Sequence, residues 1–116
     1  MRLTKNAKRD QSEGPIVEAL KLYGFSVIRI SVKDVPDLVI GKGGWTRVAE
    51  VKTGKKKLRP NQEDWWTRWG GNPRLVLTDV PDVAVVAAFW SDPTLGEQVI
   101  LHRQARARLT ATGRSA

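Results

Sequence analysis

At 116 residues the chain is the size of one ordinary domain, long enough to bury a core and too short for two, so a single functional site is expected. No run approaches the roughly 18 apolar residues of a membrane span, and Met1-Arg2-Leu3-Thr4-Lys5 is not followed by a signal-peptide core, which predicts a soluble, cytoplasmic protein. The absence of cysteine excludes disulfides and thiolate metal sites, leaving any metal to oxygen ligands or to the single His102 and favouring hard cations such as Mg²⁺.

The balance of 20 Lys and Arg against 12 Asp and Glu leaves a net charge of +8, the footprint of a partner lined with phosphates. The charge is clustered: Lys52, Lys55, Lys56, Lys57 and Arg59 form one block, while Arg103, Arg106, Arg108 and Arg114 fall in a C-terminal stretch without acids. Solvated surface charge explains either cluster taken alone, and charge does not separate an enzyme from a binding module.

From Ser12 to Leu22 the apolar residues Ile16, Val17, Ala19, Leu20 and Leu22 fit one helical face. Asp10 or Ser12 is available as N-cap, Pro15 is tolerated in the first turn, and Gly24 ends the helix. Phe25 to Val32 is rich in β-branched residues and predicts a strand. Val35-Pro36-Asp37-Leu38-Val39-Ile40, the glycine-rich Gly41 to Gly44, and Trp45 to Lys52 then read as two strands around a hairpin turn. Thr53 to Arg59 is too basic for a core and predicts an exposed loop. Pro60 opens a helix carrying Trp65, Trp66 and Trp69, stopped by Gly70-Gly71. Arg74 to Thr78 is a short strand, and Val80 to Trp90 a buried helix capped by Asp79, with Pro81 in its first turn. Periodicity weakens after Pro93. Residues 1–93 are therefore expected to form a single domain and residues 94–116 a basic, flexible C-terminal extension. The order of elements implies an α/β fold, a mixed central β-sheet flanked by helices.

Asp37 begins one strand of the hairpin and Glu50 ends the other, so a tight turn can bring both carboxylates to the same end of the sheet. Because side chains alternate, Glu50 and Lys52 share a face while Val51 points into the core. Two anions and one cation thus meet in one patch. Two carboxylates, with waters and a substrate phosphate, suit Mg²⁺, and the Val51 carbonyl is a further candidate ligand. Such an ion lowers the pKa of a bound water and offsets charge in phosphoryl transfer, while Lys52 can orient that water or neutralise the phosphate. Glu13, at the start of the first helix, and Gln62, after the basic loop, are candidate supporting groups. A bare acid-x-Lys is more often an ordinary ion pair, and an Asp after Pro more often caps a turn. The combination is what points to a site: Pro-Asp opening an apolar strand, a short hairpin, Glu-Val-Lys closing the next, then a basic loop and Gln62.

The pattern Pro36-Asp37…Glu50-Val51-Lys52 resembles the core of the PD-(D/E)XK nuclease superfamily. With Glu13 and its helix, Gly24, Thr53 and Gln62, it is similar to the VRR-NUC type of small phage and bacterial nucleases over roughly residues 10 to 90. The resemblance implies a PD-(D/E)XK restriction-endonuclease-like fold and a metal-dependent endonuclease acting on DNA with Mg²⁺ or Mn²⁺. It implies branched, Holliday-junction-like DNA as substrate, and a homodimer. Asp37 and Glu50 would be metal ligands, Lys52 the catalytic lysine, Gln62 the supporting glutamine and Glu13 the accessory acid. Lys33-Asp34-Val35 departs from the small residues of many relatives, and Asp34 could add negative charge near the metal. Two other readings use the same scaffold, a non-catalytic DNA-binding protein and a restriction-type or toxin nuclease.

Lys55, Lys56, Lys57 and Arg59 flank the expected site and could track phosphates without reading sequence. Base stacking on Trp65, Trp66 or Trp69 competes with core packing, which helical spacing favours. The glycines at 41, 43 and 44 are turn residues, since no Gly-Lys-Ser/Thr follows, and His102, alone among arginines, is not expected to ligate a metal.

Overall fold

The computed structural model describes residues 10–115, with side chains as far as residue 111. In chain order the elements are α1 (Glu13–Leu22), β1 (Ser26–Arg29), β2 (Leu38–Lys42), β3 (Trp45–Val51), α2 (Pro60–Arg68), β4 (Val76–Leu77), α3 (Pro81–Ala88) and α4 (Leu95–Ser115). The sheet runs β1-β2-β3-β4, antiparallel across the first two pairs and parallel between β3 and β4. The expected mixed sheet flanked by helices is therefore present. No helix among the described residues is long and apolar enough to cross a membrane.

The β2–β3 hairpin is closed by Gly43 and Gly44, between the paired residues Lys42 and Trp45. Both glycines have positive φ, 60° and 85°, the two-residue turn whose twist matches the strands it joins. Gly24, at φ 90°, turns the chain out of α1.

Alternation along β3 divides the molecule. Ala49 and Val51 join Leu38, Ile40 and Leu77 on the face covered by α1 and α3, where Ile16, Leu20, Val83 and Val86 are fully buried. Val48 turns the other way with Val39 and Val76, under Trp66 of α2 and Leu58 of the preceding loop. Leu58 is the one residue of the basic loop that packs inward.

The main departure from the sequence reading is α4. Residues beyond Pro93 form a 21-residue helix, and its first turns are core: Leu95 and Val99 are fully buried. Leu95 and Val99 lie four apart on one face, but the exposed Ile100 and Leu101 follow directly and blur the period that would reveal it. The arginines of this stretch are partly committed to structure. Arg103 donates to Asp82 Oδ2 at 2.8 Å and to the Val76 carbonyl at 3.0 Å, and Arg106 reaches Asp82 and Asp79. Arg108 is exposed, and the side chain of Arg114 lies outside the described residues. Asp79 accordingly serves Arg106 rather than capping α3, which begins after Val80 without a side-chain cap. Ser12 likewise occupies the N-cap position of α1 without a side-chain cap bond. The first strand is shorter than its β-branched run: Phe25 packs edge-on against Trp90, and pairing with the β2 chain ends where the Ile30 N–H donates to the Asp37 carbonyl at 2.7 Å.

Gly96 sits where α4 meets the chain entering β4, and a Cβ there would collide with the Arg74 carbonyl. Gly96→Ala is expected to cost about 1–3 kcal/mol, since backbone on both sides must move. Urea unfolding followed by circular dichroism measures it; an unchanged midpoint would show that α4 shifts freely.

Candidate active site

The register Leu38↔Ala49 places Asp37 opposite Glu50 on the next rung, and the Asp37 N–H donates to the Ala49 carbonyl at 3.1 Å. Both carboxyls face α2. Asp37 is fixed by main chain, its Oδ2 accepting from the Val51 N–H at 2.8 Å. Val51 thus turns its main chain toward Asp37, and it offers the site backbone groups only, its side chain lying in the core.

Glu50 is 2% exposed, sealed beneath the start of α2. Gln62 Nε2 donates to Glu50 Oε2 at 3.1 Å, while Gln62 Oε1 accepts from the Arg59 N–H at 2.8 Å. One amide therefore ties the first turn of α2 to the carboxylate below it, and both its ends are used. Glu50 Oε1 is buried with no hydrogen-bond partner. Burial, then the hydrogen-bonding and charge of Asp37 beside it, push Glu50 up to about 9, against the opposing pull of Lys52 and Arg59. Such a carboxyl holds a proton or must share a cation.

Lys52, two residues on, is 7% exposed and lines the same cleft, an open depression of about 660 Å³ that also takes in Lys56, Lys57 and Arg59. Lys55, expected to act with them, lines neither this cleft nor the groove beside it. Arg59 bonds Asp34 Oδ1 at 2.8 Å, and Asn61 bonds Oδ2 at 3.3 Å. Asp34 adopts a left-handed backbone, φ 66°, and hydrogen bonding from Arg59 lowers its pKa despite the opposing cost of desolvation. Its charge is thus opposed locally, and Asp34 works as a latch between the β1–β2 connection and α2. Asp10, read from the sequence as a helix cap, and Thr53, read as part of the motif, also line the cleft. Asp10 approaches Lys56 at 3.5 Å and Thr53 Oγ1 accepts from the Ser12 N–H at 3.4 Å, so the chain entering α1 forms one wall.

Glu13 is not brought into the cleft. It is fully buried in the first turn of α1, where Arg29 Nε donates to it at 2.8 Å. Arg29 pairs with Leu38 and so shares the face that α1 covers, whereas Asp37 and Glu50 face α2. Among the described residues no three of His, Cys, Asp and Glu converge as a metal-binding group; of the four acids lining the cleft, Asp37 and Glu50 lie opposite each other, while Asp10 approaches Lys56 and Asp34 bonds Arg59. His102 lies on α4, its ring nitrogen 2.9 Å from the Gln98 carbonyl.

The tryptophans of α2 are used for packing. Trp66 is buried; Trp65 stacks on Trp69 with ring centres 4.9 Å apart. The Trp69 ring also lies so close to Gly71 that a Cβ there would meet it at 2.6 Å. Trp69 nonetheless remains 40% exposed. No family model, no curated protein and no solved structure matches the chain.

Proposed function

We propose that the chain is a metal-dependent DNA endonuclease with a PD-(D/E)XK-like core of the VRR-NUC type, hydrolysing phosphodiester bonds in structured or branched DNA. One observation carries this reading: a pair of carboxyls, the half-buried Asp37 and the buried Glu50, beside Lys52 in a lysine-rimmed cleft, with Glu50 Oε1 lacking any donor.

The residues fit a hard divalent cation. Two carboxylates with an adjacent main chain match Mg²⁺ or Mn²⁺, which take few protein ligands and complete their shell with water and phosphate oxygen. When bound, the ion supplies Lewis-acid activation of water and neutralises charge on the phosphate. Asp37, held by the Val51 N–H, and Glu50, held by Gln62, present their remaining oxygens in a fixed geometry. Lys52 is placed to neutralise the scissile phosphate or orient the attacking water. Gln62 is a positioning residue, because its carbonyl is taken by Arg59 and its amide by Glu50. Glu13 is assigned to balancing Arg29.

Cleavage of plasmid and four-way-junction DNA with Mg²⁺ tests the reading. Lys52→Ala and Asp37→Asn are each expected to lose about 10²–10³-fold in rate, the scale of one transition-state contact. Persistent cleavage by both purified variants would sink the site. Binding without cleavage under any divalent ion would make the protein a DNA-binding module, and cutting at a fixed sequence would make it a restriction-type enzyme. The reading includes a homodimer, which presents two clefts to strands of opposite polarity; a monomeric mass in sedimentation equilibrium would remove that part.

Lys56 and Lys57 line the cleft and Lys55 does not. Removing the first two is expected to flatten the slope of log affinity against log salt by about 1–2, near 0.9 per phosphate contact, while Lys55→Ala changes it less. Equal effects from all three, measured by anisotropy titration over a salt series, would mean diffuse attraction rather than contacts in the cleft.

A further inference from the structure

Beyond Lys52 the cleft does not end. Lys52, Lys56 and Lys57 also form one wall of a second groove, about 710 Å³, that runs between the basic loop and the first turns of α4. Its character differs from the first. Leu58, Val76 and Ile100 give it apolar walls over β4, with Pro73 and Pro93 at its ends. The two arginines that line it are already committed, Arg74 to Glu63 and Arg103 to Asp82. The free positive charge is therefore concentrated on the side shared with the cleft, where Lys57 has no ion-pair partner among the described residues and Lys56 only a 3.5 Å approach to Asp10.

We infer that this groove receives an unpaired stretch, about two nucleotides long, of the DNA strand next to the scissile phosphate, so that the preferred substrate carries a single-stranded arm. The inference rests on the nuclease reading above and narrows its substrate. The space is that of a small-molecule site, roughly 300–1,000 Å³, and is too small for a duplex. A paired base hides its faces in the stack; only an unpaired one can lay a face on Leu58, Val76 and Ile100. Its phosphates then follow Lys56 and Lys57 into the cleft, where the next phosphate meets Lys52. The polarity of the groove matches a nucleotide along one side only: apolar walls for the base and the lysines for the backbone, while Glu97 of α4 and the Arg74-paired Glu63 also line it and leave the phosphates the lysine side as their path. No aromatic ring lines it, so the contact is apolar burial without stacking and the preference it confers is moderate.

Full-length protein is tested with three fluorescent DNAs of equal duplex length: blunt, forked with a thymidine arm, and a fully paired four-way junction. Affinity is read by anisotropy in Ca²⁺ and cleavage in Mg²⁺. The fork is expected to bind about ten-fold more tightly than the blunt duplex, the worth of burying roughly 55 Å² of apolar surface. Ile100→Glu should bring that ratio close to one. Ile100 is 47% exposed, so the folded state tolerates the change, and Leu101→Glu, on the next residue outside the groove, should leave the ratio intact. Equal binding of fork and duplex by the wild type overturns the inference, as does an equal loss in the two variants. An Ile100→Glu protein that keeps its fork preference but changes mass in sedimentation also overturns it and assigns the groove to self-association. The two proposals fail separately: groove-dependent fork binding with no cleavage removes the nuclease and leaves the groove, while cleavage indifferent to unpaired DNA removes the groove and leaves the nuclease.

Discussion

Glu50→Gln is expected to stabilise the metal-free protein at pH 8.5 by about 2–4 kcal/mol while abolishing cleavage. The folded-state value of Glu50 is raised, from an ordinary 4.5 to about 9. The unfolded chain therefore gives up its proton first, and folding takes one up. Stability from this group is fully present below about pH 4.5 and drains away as pH rises toward 9. Glutamine has the shape of the protonated acid, keeps an acceptor for Gln62 and has nothing to lose to alkali. Urea unfolding in EDTA should thus find the variant and wild type similar near pH 4.5 and increasingly apart up to pH 8.5. A variant no more stable than wild type at pH 8.5 would show that the carboxyl is ionised and satisfied without a cation. The same chemistry predicts that Mg²⁺ or Mn²⁺ raises the wild-type melting temperature at pH 8, less so at pH 6 where protons compete, and leaves Glu50→Gln unmoved.

Asp82→Ala should be the most damaging substitution away from the cleft, costing about 3–5 kcal/mol and lowering the melting temperature by more than about 10 °C. Asp82 is fully buried and accepts from the Thr78 N–H at 2.8 Å, the Thr78 hydroxyl at 3.3 Å, Arg103 at 2.8 Å and Arg106 at 3.2 Å. Burial alone would raise its pKa; Arg103, the Thr78 N–H and Arg106 outweigh it and hold the carboxyl below the usual range. Its contribution is present above the unfolded value of an aspartate and is lost as pH falls through the lowered one. Removing it leaves Arg103 with the Val76 carbonyl and Arg106 with Asp79 as their remaining partners in this network, so the variant should lose helix signal from α4 before the rest unfolds. A single cooperative transition at the wild-type temperature would show that Leu95 and Val99 alone hold the helix.

The contrast between the two sites shows what could be read from residues in order. Asp37, Glu50 and Lys52 were visible because a glycine-closed hairpin fixes register locally, and register fixes which side chains meet. Gln62 was visible as a polar residue placed after a basic loop, although its service to the α2 N-terminus needed coordinates. Glu13 was misplaced because period alone does not say which side of a sheet a helix covers, and the α1 face is opposite the carboxyl pair. The role of α4 was hidden for a different reason. Arg103 and Arg106 find their partners 21 to 27 residues earlier in the chain, and a charge paired over that distance is indistinguishable in sequence from one left in solvent. Asp34 was hidden by the same kind of distance, since its partners Arg59 and Asn61 lie across the cleft.

The hairpin has one more consequence, in time rather than in space. Asp37 and Glu50 sit on strands joined by a two-residue turn, a unit that assembles in about 1–10 µs, long before the parallel pairing of β3 with β4 can close its larger loop. In that early hairpin both carboxylates are still hydrated and repel each other little. The penalty arrives only when α2 settles and Gln62 seals Glu50, so proton or cation uptake belongs to the late stage of folding. Refolding should therefore slow as pH is raised through the range in which Glu50 must recover its proton, and divalent ions should restore the rate.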